Sequence, residues 1–315
     1  MTPLVIAALA VVPCVYWTQG VESRAALEAA GITRLCVAPE QVDAWRAAGF
    51  TATAIAEADF KTREPLAVPG TAARAGVASP TRSPWVAANG WRFVRQPDTK
   101  YVYEVPAGKG ALAAAEAFAY GGDAVLEVDA ADLAAVGAML TFLESLPADD
   151  LPPIADFAIV DDGSPVTGEV MNLLSRRNLL YQIVTVPSSQ YPITIAIGSP
   201  TYPAEEAADP SSFAQKIRRQ LTDDRRSLRV YGSEVVIGRL TGTAGQARLH
   251  LLNYGGREIE GLRLRVRGAY ATGEAYVAGA GRLPLADHVV ADGATEFSLP
   301  RLAAYAVIDL KASKE

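Results

Sequence analysis

The spacing of apolar residues changes once along this chain, at Gly232, and that change narrows the available folds more than any other feature. Before Gly232, short apolar runs alternate with Ala-rich amphipathic runs, the period switching between strand-like and 3.6, as in βα units. Pro13 to Trp17, Arg34 to Val37 and Thr51 to Ala56 read as strands, with helices at Glu22 to Ala30 and Pro39 to Ala48 between them. Gly31 and Gly49 stand where a helix C-terminus needs a residue at ease at positive φ. The pattern resumes with a helix at Gly110 to Tyr120, a strand at Ala124 to Val128 and a helix at Ala130 to Leu146. Asp129 is expected as the N-cap of that last helix, with Asp132 stabilising the same helix.

Pro147 to Pro153 reads as an acidic linker, after which the alternation begins again. Ile154 to Val160, Leu179 to Val184, Ile193 to Ile197 and Leu228 to Tyr231 are expected strands. Helices are expected at Val166 to Arg177, capped by Asp162 or Ser164, and at Pro210 to Leu221, capped by Ser211 or Ser212. Such alternation implies a mostly parallel sheet. Beyond Gly232 no helical period survives. Val235 to Leu240, Ala247 to Asn253, Gly261 to Arg267, Glu274 to Val277, Thr295 to Leu299 and Ala304 to Leu310 alternate apolar and polar residues between Gly-rich turns. Leu262, Leu264 and Val266 alternate with Arg263, Arg265 and Arg267, as in an outer strand of an antiparallel sandwich with its basic row turned to solvent. The expected fold class is α/β followed by all-β, with domains at 1–150, 151–232 and 233–315.

Few chemistries suit this composition. With 29 Lys and Arg against 35 Asp and Glu, and no long basic run, the chain lacks the electrostatic footprint of a nucleic-acid binder. Two Cys and two His are too few for a zinc finger or an iron-sulfur cluster. His250 and His288 both lie in the β-rich tail, so an imidazole-based triad in the α/β part is not expected. Gly108-Lys109-Gly110 lacks the spacing of a phosphate loop, and no GxGxxG follows a strand, so no cofactor and no metal are expected. Leu4 to Val12 superficially resembles a signal core, but no Lys or Arg precedes it, and it reads as a strand or trimmed remnant, with a working signal as the alternative. No stretch reaches the roughly 20 apolar residues of a membrane helix. Cys14 and Cys36 occupy similar places in consecutive strands; two buried thiols are the preferred reading, with a disulfide across the sheet left open.

Carboxylate chemistry remains. An acid and base pair needs two carboxyls in distinct environments, and parallel α/β folds place such groups just past strand C-termini. Glu40, Glu57, Asp59, Glu104, Glu127, Asp129, Asp161 and Asp162 are in such places. Glu127 and Asp129 bracket Val128 and should point to one side of a strand end, with Glu104 or Asp161 as a second partner. The Pro- and Gly-interrupted stretch from Lys61 to Thr99 ends with Trp85 and Trp91 beside an Asn89-Gly90 turn, and Tyr101 and Tyr103 follow. Together with Trp17 these aromatics could stack on sugar rings, the alternative being an aromatic lid over the core.

The order of parts, with Ile159-Val160-Asp161-Asp162 leading to Gly168-Glu169-Val170-Met171-Asn172-Leu173-Leu174, then Leu180-Tyr181-Gln182-Ile183-Val184, and the tail phrases Arg248-Leu249-His250-Leu251-Leu252-Asn253-Tyr254 and Tyr305-Ala306-Val307-Ile308-Asp309-Leu310, resembles microbial β-galactosidase-like glycoside hydrolases. The resemblance covers roughly residues 150–312. It implies a (β/α) barrel-like domain, a small flavodoxin- or amidotransferase-like α/β domain and a C-terminal β-sandwich. The upstream 150 residues are too few for a regular barrel of about 250, so that domain would be shortened or degenerate. Gly198-Ser199-Pro200 stands where an amidotransferase would carry its Cys, so no glutaminase activity is implied. An oligo- or polysaccharide partner and an extracytoplasmic location are what the resemblance adds, with a noncatalytic saccharide-binding or assembly protein as the alternative to a hydrolase; a homo-oligomer is left open.

Overall fold

The computed structural model describes residues 12–72, 84–148 and 150–313. All of the signal-like run except Val12, and residues 73–83 of the Pro-rich stretch, lie outside them. The chain divides into two compact units: residues 12–70 with 87–148, and residues 71–72 and 84–86 with 150–313.

The first unit begins with β1 (Cys14–Tyr16), α1 (Arg24–Ala29), β2 (Arg34–Val37), α2 (Val42–Ala47), β3 (Thr51–Ala54), α3 (Glu57–Lys61) and β4 (Glu64–Pro65). Two short strands, β5 (Gly70–Ala72) and β6 (Trp85–Ala87), pair as a ribbon. The unit continues with α4 (Gly90–Arg95), β7 (Tyr101–Val105), α5 (Gly110–Tyr120), β8 (Ala124–Val128) and α6 (Leu133–Ser145). Its sheet is entirely parallel in the order β3-β2-β1-β8-β7-β4. Pairing of β1 with β8 brings the first and last strands together, as ring closure would. Among the described residues the sheet has six strands, with β3 and β4 at its two edges.

Strand alternation separates its two faces. Val15, Leu35, Tyr101, Tyr103 and Leu126 are fully buried on one face. On that side α5 packs on β7, β8 and α6, and α6 packs on α1. Helix α6 comes so close at Gly137 that a Cβ there would stand 1.7 Å from the Ala30 carbonyl oxygen. The opposite face carries Cys14, Tyr16, Cys36, Val125, Glu104 and Glu127.

Several local expectations need correction. Cys14 and Cys36 form a disulfide with Cα atoms 5.7 Å apart, so two free thiols are ruled out. Tyr16, not Cys14, is the register partner of Cys36, so the bond joins diagonal neighbours on one face. Asp129 does cap, accepting from the Ala131 N–H at 2.8 Å, but Asp132 turns away from its own helix. The buried Asp132 carboxylate accepts from the Gly110 N–H at 2.7 Å and so holds the start of α5. Asn89-Gly90 is not a turn between strands; it opens α4.

The second unit starts with β9 (Phe157–Val160), α7 (Pro165–Arg176), β10 (Tyr181–Val184), β11 (Thr194–Ile195), α8 (Ala204–Ala207) and α9 (Pro210–Leu221). Strand β9 lies between β10 and β11 in a parallel sheet. Ser164 caps α7, accepting from the Thr167 N–H at 3.1 Å. Asp209, and not either following serine, caps α9 by accepting from the Ser212 N–H.

The rest is antiparallel: β12 (Leu228–Val230), β13 (Val236–Gly242), β14 (Gln246–Asn253), β15 (Ile259–Arg267), β16 (Thr272–Val277), β17 (Gly281–Pro284), β18 (Ala286–Ala291), β19 (Ala294–Leu302) and β20 (Tyr305–Lys311). Two sheets, β12-β15-β19-β18 and β13-β14-β20-β16-β17, enclose a core that includes Leu228, Leu249, Leu264, Phe297 and Ile308. Strand β12, expected in the α/β segment, pairs instead with β15. The presumed linker is also tied to the sandwich, because Ile154 donates to the Leu240 carbonyl and Gly242 to that of Pro152. Buried Asp156 accepts from Ser227 Oγ at 2.6 Å, and Asn178 bonds to Val236 and Gly238. These polar staples explain why residues 150–313 form one unit.

Candidate functional site

The C-terminal end of the face opposite the helices gathers acids from several strand ends. Glu104 in β7 and Glu127 in β8 are direct register partners and both are exposed. Because neighbouring strands stand about 4.8 Å apart and partners share a face, the two carboxyls rise side by side from the sheet. Val125 opposes Cys14, so the next residue on that face, Glu127, lies beside Tyr16 at the end of β1. Tyr16 in turn is the register partner of Cys36. One row therefore runs Glu104, Glu127, Tyr16, Cys36 across four strands.

Tyr16 is half-buried and stacks on Phe60 of α3, with ring centroids 3.9 Å apart and planes 14° from parallel. Burial, and then the negative charges of Glu57, Glu127 and Glu40, push its phenol above its ordinary value. It therefore stays a neutral hydroxyl able to donate a hydrogen bond. Glu40 follows β2, and Glu57 follows β3 and pairs with Lys61 at 2.6 Å. The C-terminal ends of β1, β2, β3, β7 and β8 thus supply one phenol and four carboxylates, the end of a parallel sheet where chemistry usually resides.

The other expected site residues are arranged differently. Asp129 is engaged as a cap and does not complete the row. Asp161 directly follows β9 in the other unit and accepts from the Gly163 N–H at 2.9 Å. Trp17 is buried, its indole N–H donating to Ser23 Oγ at 2.8 Å. Tyr101 and Tyr103 are fully buried on the helix-covered face, where Phe93 packs against both. Trp85 belongs to the second unit, with the Arg176 guanidinium 4.0 Å over its ring, whereas Trp91 is half-buried on α4 of the first. Trp17, Tyr101 and Tyr103 are therefore core residues and present no exposed stacking surface.

Asn89 joins a polar cluster that sequence reasoning did not single out. Glu116, fully buried within α5, accepts from the Tyr103 hydroxyl at 2.5 Å, from the Asn89 N–H at 2.6 Å and from Asn89 Nδ2 at 3.1 Å. Burial, followed by the Glu116 charge, drives the Tyr103 phenol well above its ordinary value. Asn89 also clasps the backbone of Ala67 from both ends of its amide. This cluster fixes the path of the chain into α4 and lies on the sheet face opposite the acid row. The only sequence signal for it was a Glu on an otherwise apolar helix face.

Among the described residues, no group of three or more His, Cys, Asp or Glu side chains is placed to hold a metal ion. Nor is any helix in them long and apolar enough to cross a membrane. His250 is a core residue of β14, its Nδ1 at 2.7 Å from the Tyr305 hydroxyl.

No family model matches the chain, and no curated protein resembles it in sequence. Solved structures do resemble it. Alpha-L-fucosidase isoenzyme 2 from Paenibacillus thiaminolyticus is 8% identical, with a TM-score of 0.55 over 92% of this chain and 79% of its own. A catalytic mutant of a GH42 β-galactosidase from G. stearothermophilus is 9% identical, with a TM-score of 0.40 over 73% of this chain and 52% of its own. The β-galactosidase from Bacillus circulans sp. alkalophilus is 10% identical, with a TM-score of 0.39 over 90% of this chain and 61% of its own. The chain thus spans little more than half of either β-galactosidase. What the fucosidase match establishes is a likeness of fold: α/β elements followed by a strand-rich region, in the manner of a glycoside hydrolase.

Proposed function

We propose that this chain is a carbohydrate-active protein related to glycoside hydrolases, with Glu104 and Glu127 as its acid/base pair. The observation that carries this reading is their direct register pairing at the exposed C-terminal end of one sheet face, beside Tyr16. Carboxyls on directly opposed residues of adjacent strands suit the separation of about 5–5.5 Å used by retaining glycosidases. In that mechanism one carboxylate attacks the anomeric carbon while the other protonates the departing glycosidic oxygen. Water, giving its proton to the second carboxylate, then attacks the anomeric carbon of the glycosyl-enzyme and displaces the first carboxylate, which frees the sugar. Tyr16 donates to the nucleophile or to a sugar hydroxyl, and Phe60 holds its ring in place. The Cys14–Cys36 disulfide suits an oxidising compartment and supports an extracytoplasmic location.

The test is turnover of a panel of aryl glycosides by the wild type, Glu127→Gln and Glu104→Gln. Each variant should lose about 10²-fold or more in kcat with its fold intact, the loss expected for an acid or base. Turnover unchanged in both removes the pair from the mechanism. The six strands of the described sheet, against eight in a regular barrel, favour a second reading, a noncatalytic saccharide-binding protein with a degenerate hydrolase fold. Calorimetric binding of oligosaccharides without hydrolysis by the wild type would select it.

A further inference from the structure

The outer face of the sandwich's four-stranded sheet carries an open groove of about 540 Å³, wholly within the second unit and separate from the acid row. Its floor follows from register. Arg229 opposes Arg265, Arg265 opposes Glu296, and Glu296 opposes Val289, so one row crosses all four strands. Asp224 and Asp292 complete its rim. Glu296 holds Arg263 at 2.5 Å and accepts from the Tyr231 hydroxyl at 3.4 Å. Tyr231 lies beneath two guanidinium groups, those of Arg229 at 4.7 Å and Arg263 at 5.8 Å from its centroid. The Arg265 side chain is only 11% exposed, and its buried Nη1 has no hydrogen-bond partner. That nitrogen is closed to solvent, so a ligand in the groove would meet the exposed polar atoms of the other lining side chains.

The chemistry of a ligand that fits the groove follows from the lining. Three guanidiniums face four carboxylates, those of Asp224, Asp287, Asp292 and Glu296, so neither an anion nor a cation has a clear electrostatic preference here. Fixed planar donors and acceptors interleave, and Val289, 55% exposed, adds an apolar patch. A neutral pyranoside meets each requirement: every hydroxyl both donates and accepts, and its C–H face covers an apolar side chain. We propose that this groove is a second, noncatalytic saccharide-binding site, specific for neutral sugars and independent of the chemistry at Glu104 and Glu127.

The full-length protein can be tested by native affinity electrophoresis in gels containing galactan, xyloglucan, mixed-linkage β-glucan, arabinoxylan or galactomannan, with polygalacturonate as the charged comparison. At least one neutral polysaccharide should retard the wild type. Glu296→Gln and Asp224→Ala, each checked for an unchanged thermal melt, should weaken that retardation about tenfold, the worth of one hydrogen bond to a charged group. Glu127→Gln should leave it intact. Retardation by polygalacturonate alone, by no polymer, or equally in wild type and both groove variants overturns the proposal. Retardation lost in Glu127→Gln and kept in Glu296→Gln assigns binding to the acid row and also overturns it. Because no turnover is measured, an inactive acid pair leaves this result unaffected.

Discussion

Breaking the Cys14–Cys36 disulfide should loosen the sheet that carries the acid row, and the size of the effect can be worked out. The bond links residues 22 apart in sequence, spanning β1, α1 and β2. On the chain-entropy account, opening a loop of that size releases the denatured state by about 3 kcal/mol at 25 °C. With a urea dependence of about 2 kcal/mol per molar, typical of small domains, the midpoint should fall by about 1.5 M. Both sulfurs sit in an apolar cluster with Tyr16, Ile55, Phe60 and Val125, so alanine replacements would add a packing loss to the entropic one. Reduction of the wild type is therefore the cleaner perturbation. Trp17, Trp45 and Trp91 all belong to the first unit, so tryptophan fluorescence reports mainly on the part that carries the bond. Unfolding curves in urea with and without excess dithiothreitol give the comparison directly. Coincident midpoints would refute the reasoning, as would two reactive thiols in the denatured, unreduced protein.

Two further outcomes follow from named contacts. Gly137→Ala should destabilise the first unit by at least the upper end of the usual 1–3 kcal/mol for overpacking (about 3 kcal/mol), because its Cβ would collide with the Ala30 carbonyl and not with a flexible side chain; an unchanged urea midpoint would show that α6 and α1 are not so close. His250 titrates well below its ordinary value because of burial first and then the charges of Arg239 and Arg248. The unfolded chain therefore takes up a proton near pH 6.5 that the folded chain refuses, and the sandwich should lose about 1.4 kcal/mol per pH unit as pH falls below that point. Comparing wild type with His250→Gln isolates this slope from contributions of other groups, and parallel stability profiles between pH 7.5 and 5 would contradict it. The constant offset between the two reports the hydrogen bond to Tyr305, about 1 kcal/mol.

Elements whose signals are local were legible in the sequence. Arg34–Val37, Gly110–Tyr120, Ala124–Val128 and Pro210–Leu221 all appear at the expected bounds, because hydrophobic period and end signals suffice to define them. Strands β17 and β18 escaped notice because they are exposed on both faces and so carry no alternation to read. Strand β12 was recognised but placed in the wrong sheet, since only a partner some 35 residues later decides its membership. The Cys pairing had the same origin: strand position was readable, whereas the approach of two thiols depends on β1 lying directly beside β2.

The acid row makes the division between local and nonlocal information sharpest. Tyr101 and Tyr103 alternate with Val102 and Glu104, so whichever face receives the carboxylate cannot receive the tyrosines. An aromatic platform from Tyr101 and Tyr103 and an acid at Glu104 could therefore not serve one site on a single face, whatever the tertiary contacts. Burial resolves the conflict in favour of the acid. Tyr103 and Leu126 are register partners at zero exposure under α5, and withdrawing either from the core would forfeit roughly 2 kcal/mol of apolar burial. A slip of one residue between β7 and β8 would bring Glu127 opposite a core position and turn Leu126 outward, so the packing enforces the face on which both glutamates stand. Residue type is written locally at Glu104 and Glu127, but their partnership belongs to the sheet, and the core on its far side is what holds the two carboxyls together.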